Sequence, residues 1–212
     1  MRESVTGAGD VYGQFRMTLP NPALNFISTL TVTAPTGSQS DGLSTGKVTV
    51  DWSNYVDRTF SRVTPFGELG IANSTSDTQF FIHPYITSGF VAHMQGGLRY
   101  RLARGVSVAG SGYAVTPSGQ QTVISRVAPA HGQSGAGNAN GKKNHGVFET
   151  AGTTTGPAEI ARDHGFSTWL QLTPAEPLNF YAGYTRSIPF HLDTVFFGVG
   201  VSFGKIFRHW GI

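Results

Sequence analysis

Hydrophobic and polar residues alternate with a period of two along most of this chain. In residues 11–19 the odd positions are apolar from Val11 to Leu19 apart from Gly13, whereas the even positions hold Tyr, Gln, Arg and Thr. Side chains that alternate in this way face opposite sides of an extended strand, so the pattern predicts β-strands with one apolar and one polar face. Further runs of the same kind occupy residues 24–33, 47–56, 63–72, 90–102, 106–115, 166–172, 178–185 and 194–206.

The connections between these nine runs alternate between short and long. The short ones are residues 20–22, 61–62, 103–105 and 174–177. The long ones are residues 35–46, 73–89, 116–163 and 187–193. Outer-membrane barrels combine tight periplasmic turns with long outer loops. The pattern therefore predicts an all-β fold, a transmembrane antiparallel up-and-down β-barrel with short periplasmic turns and long extracellular loops.

The number of runs is odd, whereas single-chain bacterial barrels have an even number of strands. We expect about ten strands, with about eight and about twelve as the limits. The first run descends from the outer side, and residues 1–8 are too few for a crossing of about 9–11 residues. The chain is therefore expected either to lack its first strand or to contain a further strand at residues 120–127, inside the longest connection.

The whole chain, residues 1–212, is predicted to form one barrel domain. Residues 116–163 are expected to be a long, partly disordered extracellular loop. Within them, residues 132–146 are almost all small or polar and offer no apolar face to bury. Residues 1–10 lack the apolar core of a secretion signal, so we expect the numbered chain to begin after processing or at a late start.

Composition restricts the class of protein. Charged residues make up 13% of the chain, about half the usual share of roughly 25%. No stretch reaches the roughly 18 consecutive apolar residues of a membrane-spanning helix. The net charge is only +3 and no long basic run occurs, so nucleic acid is not an expected partner. With no cysteine and with His131, His145 and His164 far apart, neither a metal nor a cofactor is expected.

Several short motifs carry a resemblance to a known family. The chain reads GDVY at 9–12, PTG at 35–37, LSTG at 43–46, TPFGE at 64–68 and PSGQQ at 117–121. The region between about Gly9 and Lys205 resembles the outer-membrane transporter-like barrels named for the MetA pathway of phenol degradation. The resemblance implies a bacterial outer-membrane location and a transport role. The family's signal segment and one of its strands are expected to have no counterpart in this chain.

The predicted barrel is expected to contact lipid, a small solute and the machinery that assembles it. Outer-membrane lipid would cover its apolar faces, and a small hydrophobic or aromatic solute is the expected cargo of a passive passage. Residues 203–207 resemble the aromatic signal read by the barrel-assembly machinery, although residues 208–212 follow them. Aromatic residues are numerous enough to form the girdles found at both membrane interfaces, although Tyr12 and Tyr55 fall on the polar face.

The polar faces of the strands would converge inside the barrel. An Arg or Lys that faces lipid at mid-membrane costs about 2–4 kcal/mol, so charged strand residues are expected to point inwards. Two interpretations remain open, namely ion pairs that plug a narrow lumen and a selectivity ring along a solute path. The predicted lumen network consists of Arg16, Lys47, Asp51, Glu68, Arg99 and Arg101.

Three functions are compatible with this chain. The first is a structural or passive-transport protein of the outer membrane, which is not an enzyme. The second is an outer-membrane hydrolase with a catalytic site at the outer rim, where acids and histidines could activate water. The third is a soluble, lipocalin-like barrel that binds a small ligand. The candidate rim site consists of Asp163, His164, His191 and Asp193, which are otherwise ordinary loop residues.

Overall fold

The computed structural model of the chain describes residues 9–19, 21–37, 44–75, 85–125, 153–175 and 178–201. Eleven strands and one short 3-10 helix, Ala158–Ala161, make up its regular structure. Within the described residues, no helix is long and apolar enough to cross a membrane. The strands are β1 (Val11–Leu19), β2 (Asn25–Ala34), β3 (Thr49–Asp57), β4 (Val63–Ser74), β5 (Tyr85–Ala103), β6 (Val106–Pro117), β7 (Gln120–Ser125), β8 (Thr153–Pro157), β9 (Asp163–Ala175), β10 (Leu178–Ser187) and β11 (Leu192–Val201).

The strands form one antiparallel sheet that curls into a half-barrel. Nine of them are hydrogen-bonded in the order β1-β2-β3-β4-β5-β6-β9-β10-β11. This confirms the predicted all-β, up-and-down architecture. Because each strand in the order is antiparallel to the next, β1 and β11 at the two ends run in the same direction. Closure of the sheet in the antiparallel pattern requires a strand that runs opposite to both.

Strands β7 and β8 lengthen the wall on one side. The 19-residue β5 pairs with β6 along residues 91–103 and with β7 along residues 85–88. The chain passes from β6 to β7 through Gly119, whose φ of 72° favours glycine. Strand β8 then pairs with β7, just as β9 pairs with β6. The predicted strand at 120–127 is therefore present as β7, but it extends the wall and does not add a tenth crossing.

Three connections differ from their predicted lengths, and the one predicted at 73–89 is shorter because β4 ends at Ser74 and β5 begins at Tyr85. The connection predicted at 116–163 carries β7 at one end and β8 with the 3-10 helix at the other, because these segments continue the ladder of the sheet. The polar stretch at 132–146 lies outside the described residues. The connection predicted at 187–193 is a tight turn, since Leu192 and Asp193 already pair with β10. Short and long connections therefore do not alternate along the whole chain.

The two faces of the sheet differ in chemistry, as the alternation predicts. On the convex face large apolar side chains are exposed, up to 79% for Val195 and 87% for Phe197. The convex positions of the nine strands hold no Asp, Glu, Lys or Arg except Arg186 and Asp193, where β10 turns into β11. Most buried side chains lie on the concave face. The interior of this fold is therefore the polar and aromatic side of the sheet.

Candidate functional site on the concave face

Aromatic side chains from five strands line the concave face and are called here the aromatic strip. The Phe66 ring lies 6.1 Å from the Tyr55 ring and 5.9 Å from the Trp169 ring, between centroids. On the far side, the rings of Tyr181 and Phe196 are 6.3 Å apart. Aromatic pairs attract one another at these separations. All five aromatic residues project inwards, so none of them contributes to a membrane girdle. Tyr55 is predicted to lie on the polar face, and it does.

Glycines on neighbouring strands allow the rings to lie against the sheet. A Cβ atom added at Gly97 would be 2.8 Å from the Phe66 Cζ, and one added at Gly198 would be 2.7 Å from the Tyr181 Cε2. Real side chains do not tolerate such separations. Glycine inside a strand weakens it and often marks a close approach. Glycines within the strands therefore indicate that aromatic rings lie against the sheet, but the sequence does not show which ring covers which glycine.

A buried hydrogen bond between a histidine and an aspartate lies on the same face. His93 Nε2 is 2.9 Å from Asp51 Oδ2, and both side chains are almost fully buried. The imidazole lies over Gly70, where a Cβ atom would clash with it. The buried Glu68 is close enough to both partners to interact with their charges. The alternation places His93 on the polar face, but its pairing with a residue 42 positions away has no local signal.

A second buried carboxylate joins three strands. Asp163 on β9 accepts hydrogen bonds from the Tyr113 hydroxyl of β6 at 3.2 Å and from the Ser187 hydroxyl of β10 at 2.6 Å. The neighbouring hydroxyls of Ser167 and Thr185 are hydrogen-bonded at 2.9 Å. A carboxylate removed from water needs such donors. Asp163 therefore acts as a structural acceptor between strands.

Four concave side chains stand side by side across β3, β4, β5 and β6. The strand register aligns Tyr55 with Glu68, Glu68 with Gln95, and Gln95 with Tyr113. The Gln95 Nε2 donates a hydrogen bond of 2.7 Å to the Ser111 Oγ. These four side chains, Tyr55, Glu68, Gln95 and Tyr113, are called here the transverse row. They bring a carboxylate and an amide together between two aromatic rings.

Comparison of the chain with protein-family models and with curated proteins finds no match to either. The resemblance that the short motifs carry therefore stays a prediction. Function has to be argued from the chemistry of the two faces of the sheet.

The structure brings part of the predicted lumen network together. Asp51 and Glu68 lie close to each other on the concave face, where both are buried. Arg99 lies on the same face, beside the Tyr55 hydroxyl. These three residues share one wall, but the partner of Asp51 is a histidine and not an arginine.

The other predicted lumen residues are solvent-exposed. Arg16 is on the concave side of β1, the edge strand, and Lys47 precedes β3. Arg101 donates a hydrogen bond of 2.9 Å to the carbonyl oxygen of Ser61 at the short-turn end. Within the described ranges, none of the predicted basic residues forms an ion pair with either predicted acid. The six residues are therefore not one salt-bridge network in this part of the chain.

The four residues of the candidate rim site do not all converge, although His191 lies close enough to Asp193 to act on its carboxylate. Asp163 is buried on the concave face, whereas His164, the next residue, is exposed on the convex face. Successive strand residues face opposite sides, so these two cannot act together on one water molecule. Asp193 is convex and lies 2.8 Å from Arg186, and His191 lies in the turn between β10 and β11. Among the described residues, no three His, Cys, Asp or Glu side chains are grouped so as to hold a metal ion.

Proposed function

We propose that this chain is a β-barrel protein of the bacterial outer membrane, with its convex face against lipid. The chemistry of that face carries the proposal, because large apolar side chains such as Val195 and Phe197 are exposed across nine strands. Soluble monomers rarely expose a contiguous apolar surface of more than a few hundred Å². An apolar outer band is what transmembrane barrels present to hydrocarbon.

The positions of the charged side chains support the same orientation. Arg186 and Asp193 lie at the end of β10 and the start of β11, where they pair with each other. A basic residue on the lipid face costs about 2–4 kcal/mol at the midplane but only about 0–1 kcal/mol near the interface. The lengths of β1 and β2, nine and ten residues, also suit tilted strands of about 9–11 residues.

The concave face supports a passive passage for a small hydrophobic or aromatic solute. The aromatic strip offers ring faces, and the transverse row offers polar groups beside them. Rings that lie against glycines project less far from the wall than upright rings, so they leave more space towards the barrel axis. The proposal includes contact with outer-membrane lipid and insertion by the barrel-assembly machinery.

Unboiled, detergent-folded protein is expected to migrate faster on a denaturing gel than boiled protein. A closed barrel keeps its backbone hydrogen bonds within the sheet, so it resists the denaturant until heated. Boiled protein serves as the control. Protein that stays monodisperse in buffer without detergent would contradict the membrane proposal and favour the soluble, lipocalin-like ligand-binding barrel.

Planar-bilayer conductance distinguishes a membrane barrel with an open passage from one with a plugged lumen. Discrete conductance steps from protein that also shows the gel shift would support the passage. A barrel that shows the gel shift on boiling but never conducts would instead be a structural protein with a plugged lumen.

A further inference from the structure

The transverse row contains a buried amide oxygen without a hydrogen-bond donor, beside the buried residue Glu68. Glu68 is 7% exposed and Gln95 is 5% exposed. Within the described residues, no hydrogen bond or ion pair reaches the Glu68 carboxylate, and the Gln95 Oε1 has no partner. Gln95 is anchored through its nitrogen, which donates to Ser111. Most buried polar atoms in proteins have a partner, so the unpartnered Gln95 Oε1 beside a carboxylate points to a donor that comes from a ligand.

The two tyrosines that flank these acceptors direct their hydroxyls elsewhere. The Tyr55 hydroxyl donates to Asp57 Oδ2 at 3.0 Å. The Tyr113 hydroxyl donates to Asp163 Oδ2 at 3.2 Å. Both hydroxyls are thus committed to carboxylates outside the transverse row. What the tyrosines offer to the two acceptors is an aromatic ring on each side.

The charges around Glu68 favour a cation. The charged groups close enough to act on Glu68 are His93 and Asp51, which are hydrogen-bonded to each other. A protonated His93 is balanced by Asp51, so the Glu68 carboxylate remains uncompensated. A neutral His93 leaves two carboxylates in place. When Glu68 is ionised, this part of the wall carries a net negative charge in either state of His93, and a bound cation would offset that charge.

We propose that Glu68 and Gln95 form a binding site for a primary ammonium group on an aromatic or apolar solute. An ammonium supplies three N–H donors and a positive charge, enough for the carboxylate and the amide oxygen together. The flanking tyrosine rings attract cations through their faces. A hard metal cation fits less well, because Mg²⁺ and Ca²⁺ take about six or more oxygen ligands. The inference rests on the proposed passage and specifies the class of its solute.

Calorimetric titration of the detergent-folded protein tests this site with 2-phenylethylammonium as the probe. The alcohol 2-phenylethanol and the anion phenylacetate share its ring but not its charge. The wild-type protein is expected to bind the ammonium at least about tenfold more tightly than either, because hydrogen bonds between charged partners are the stronger ones. Glu68→Gln is expected to weaken ammonium binding about tenfold and to leave binding of the alcohol unchanged.

Two further variants make the test specific. Glu159→Gln is the matched control, because it makes the same change on the 3-10 helix, where the Glu159 side chain is 68% exposed. Its affinity for the ammonium is expected to equal that of the wild type. Gln95→Leu removes the second acceptor at similar size and is expected to weaken binding of the ammonium alone. If Glu68→Gln does not fold, Gln95→Leu alone tests whether the ammonium site exists.

The outcomes separate this site from the passage itself. Equal affinities for the three probes, or wild-type ammonium binding in both Glu68→Gln and Gln95→Leu, would overturn the ammonium site and leave any conductance unaffected. Tight binding that depends on Glu68, in a protein that never conducts, would support the site and contradict the passage.

Discussion

Leu170→Arg is expected to lower the free energy of unfolding in lipid vesicles by about 2–4 kcal/mol. Leu170 is an exposed residue near the middle of β9, on the convex face. If that face contacts lipid, the new guanidinium loses water at the depth where a charge costs most. Urea titration of vesicle-embedded protein, followed by tryptophan fluorescence, measures the change.

Gln171→Arg is the matched control, because Gln171 is the next residue on the same strand and faces the concave side. There the new charge reaches the lumen, and we expect a change within about 0.5 kcal/mol. If water surrounded the convex face, arginine at the exposed Leu170 would also cost little. Small and equal effects of the two substitutions would therefore contradict the lipid-facing assignment.

Gly97→Ala is expected to destabilise the folded protein by about 1–3 kcal/mol, the cost of overpacking. The added Cβ would lie 2.8 Å from both the Phe66 Cζ and the Ser111 Cα, and closer still to the carbonyl oxygen of Gly110. Backbone atoms of a paired strand cannot move away without disturbing the ladder between β5 and β6. The same urea titration measures the loss, and near-ultraviolet circular dichroism reports whether the aromatic packing changes.

Gly96→Ala is the control for this substitution, because the nearest atom to its Cβ is the Phe66 carbonyl oxygen at 3.9 Å. Gly96 directly precedes Gly97 on β5 and faces the convex side, so we expect a change within about 0.5 kcal/mol. If both variants lose the same stability, the cost comes from replacing glycine in a strand at all. The close approach of the Phe66 ring to Gly97 would then not be its cause.

The period-two pattern predicts the two faces of the sheet because a strand directs successive residues to opposite sides whatever its neighbours are. The alternation assigns Asp51 and Glu68 to the polar face, and both are buried on the concave side. It assigns Val195 and Phe197 to the apolar face, and both are exposed on the convex side. These assignments need only local information.

Contacts between strands depend on register, which the local pattern does not contain. His93 reaches Asp51 across β4 only because Gly70 lies between them without a side chain. The pairing of β7 with β5 likewise depends on Gly119, which lies in the turn between β6 and β7 and has a positive φ. The sequence therefore predicts which residues lie on the candidate surface, but not which of them pair.

One junction in the order of the described sheet, β6 with β9, joins strands that are not consecutive in the chain. Its register runs without a break from Val106 with Leu172 to Val115 with Asp163, and β7 with β8 continues it. The free energy of closing a chain segment grows only slowly with its length, so a longer insertion between residues 126 and 152 is expected to cost the junction little. A foreign domain inserted within that segment would leave every described strand of the junction in place, so we expect the fold to accept such an insertion.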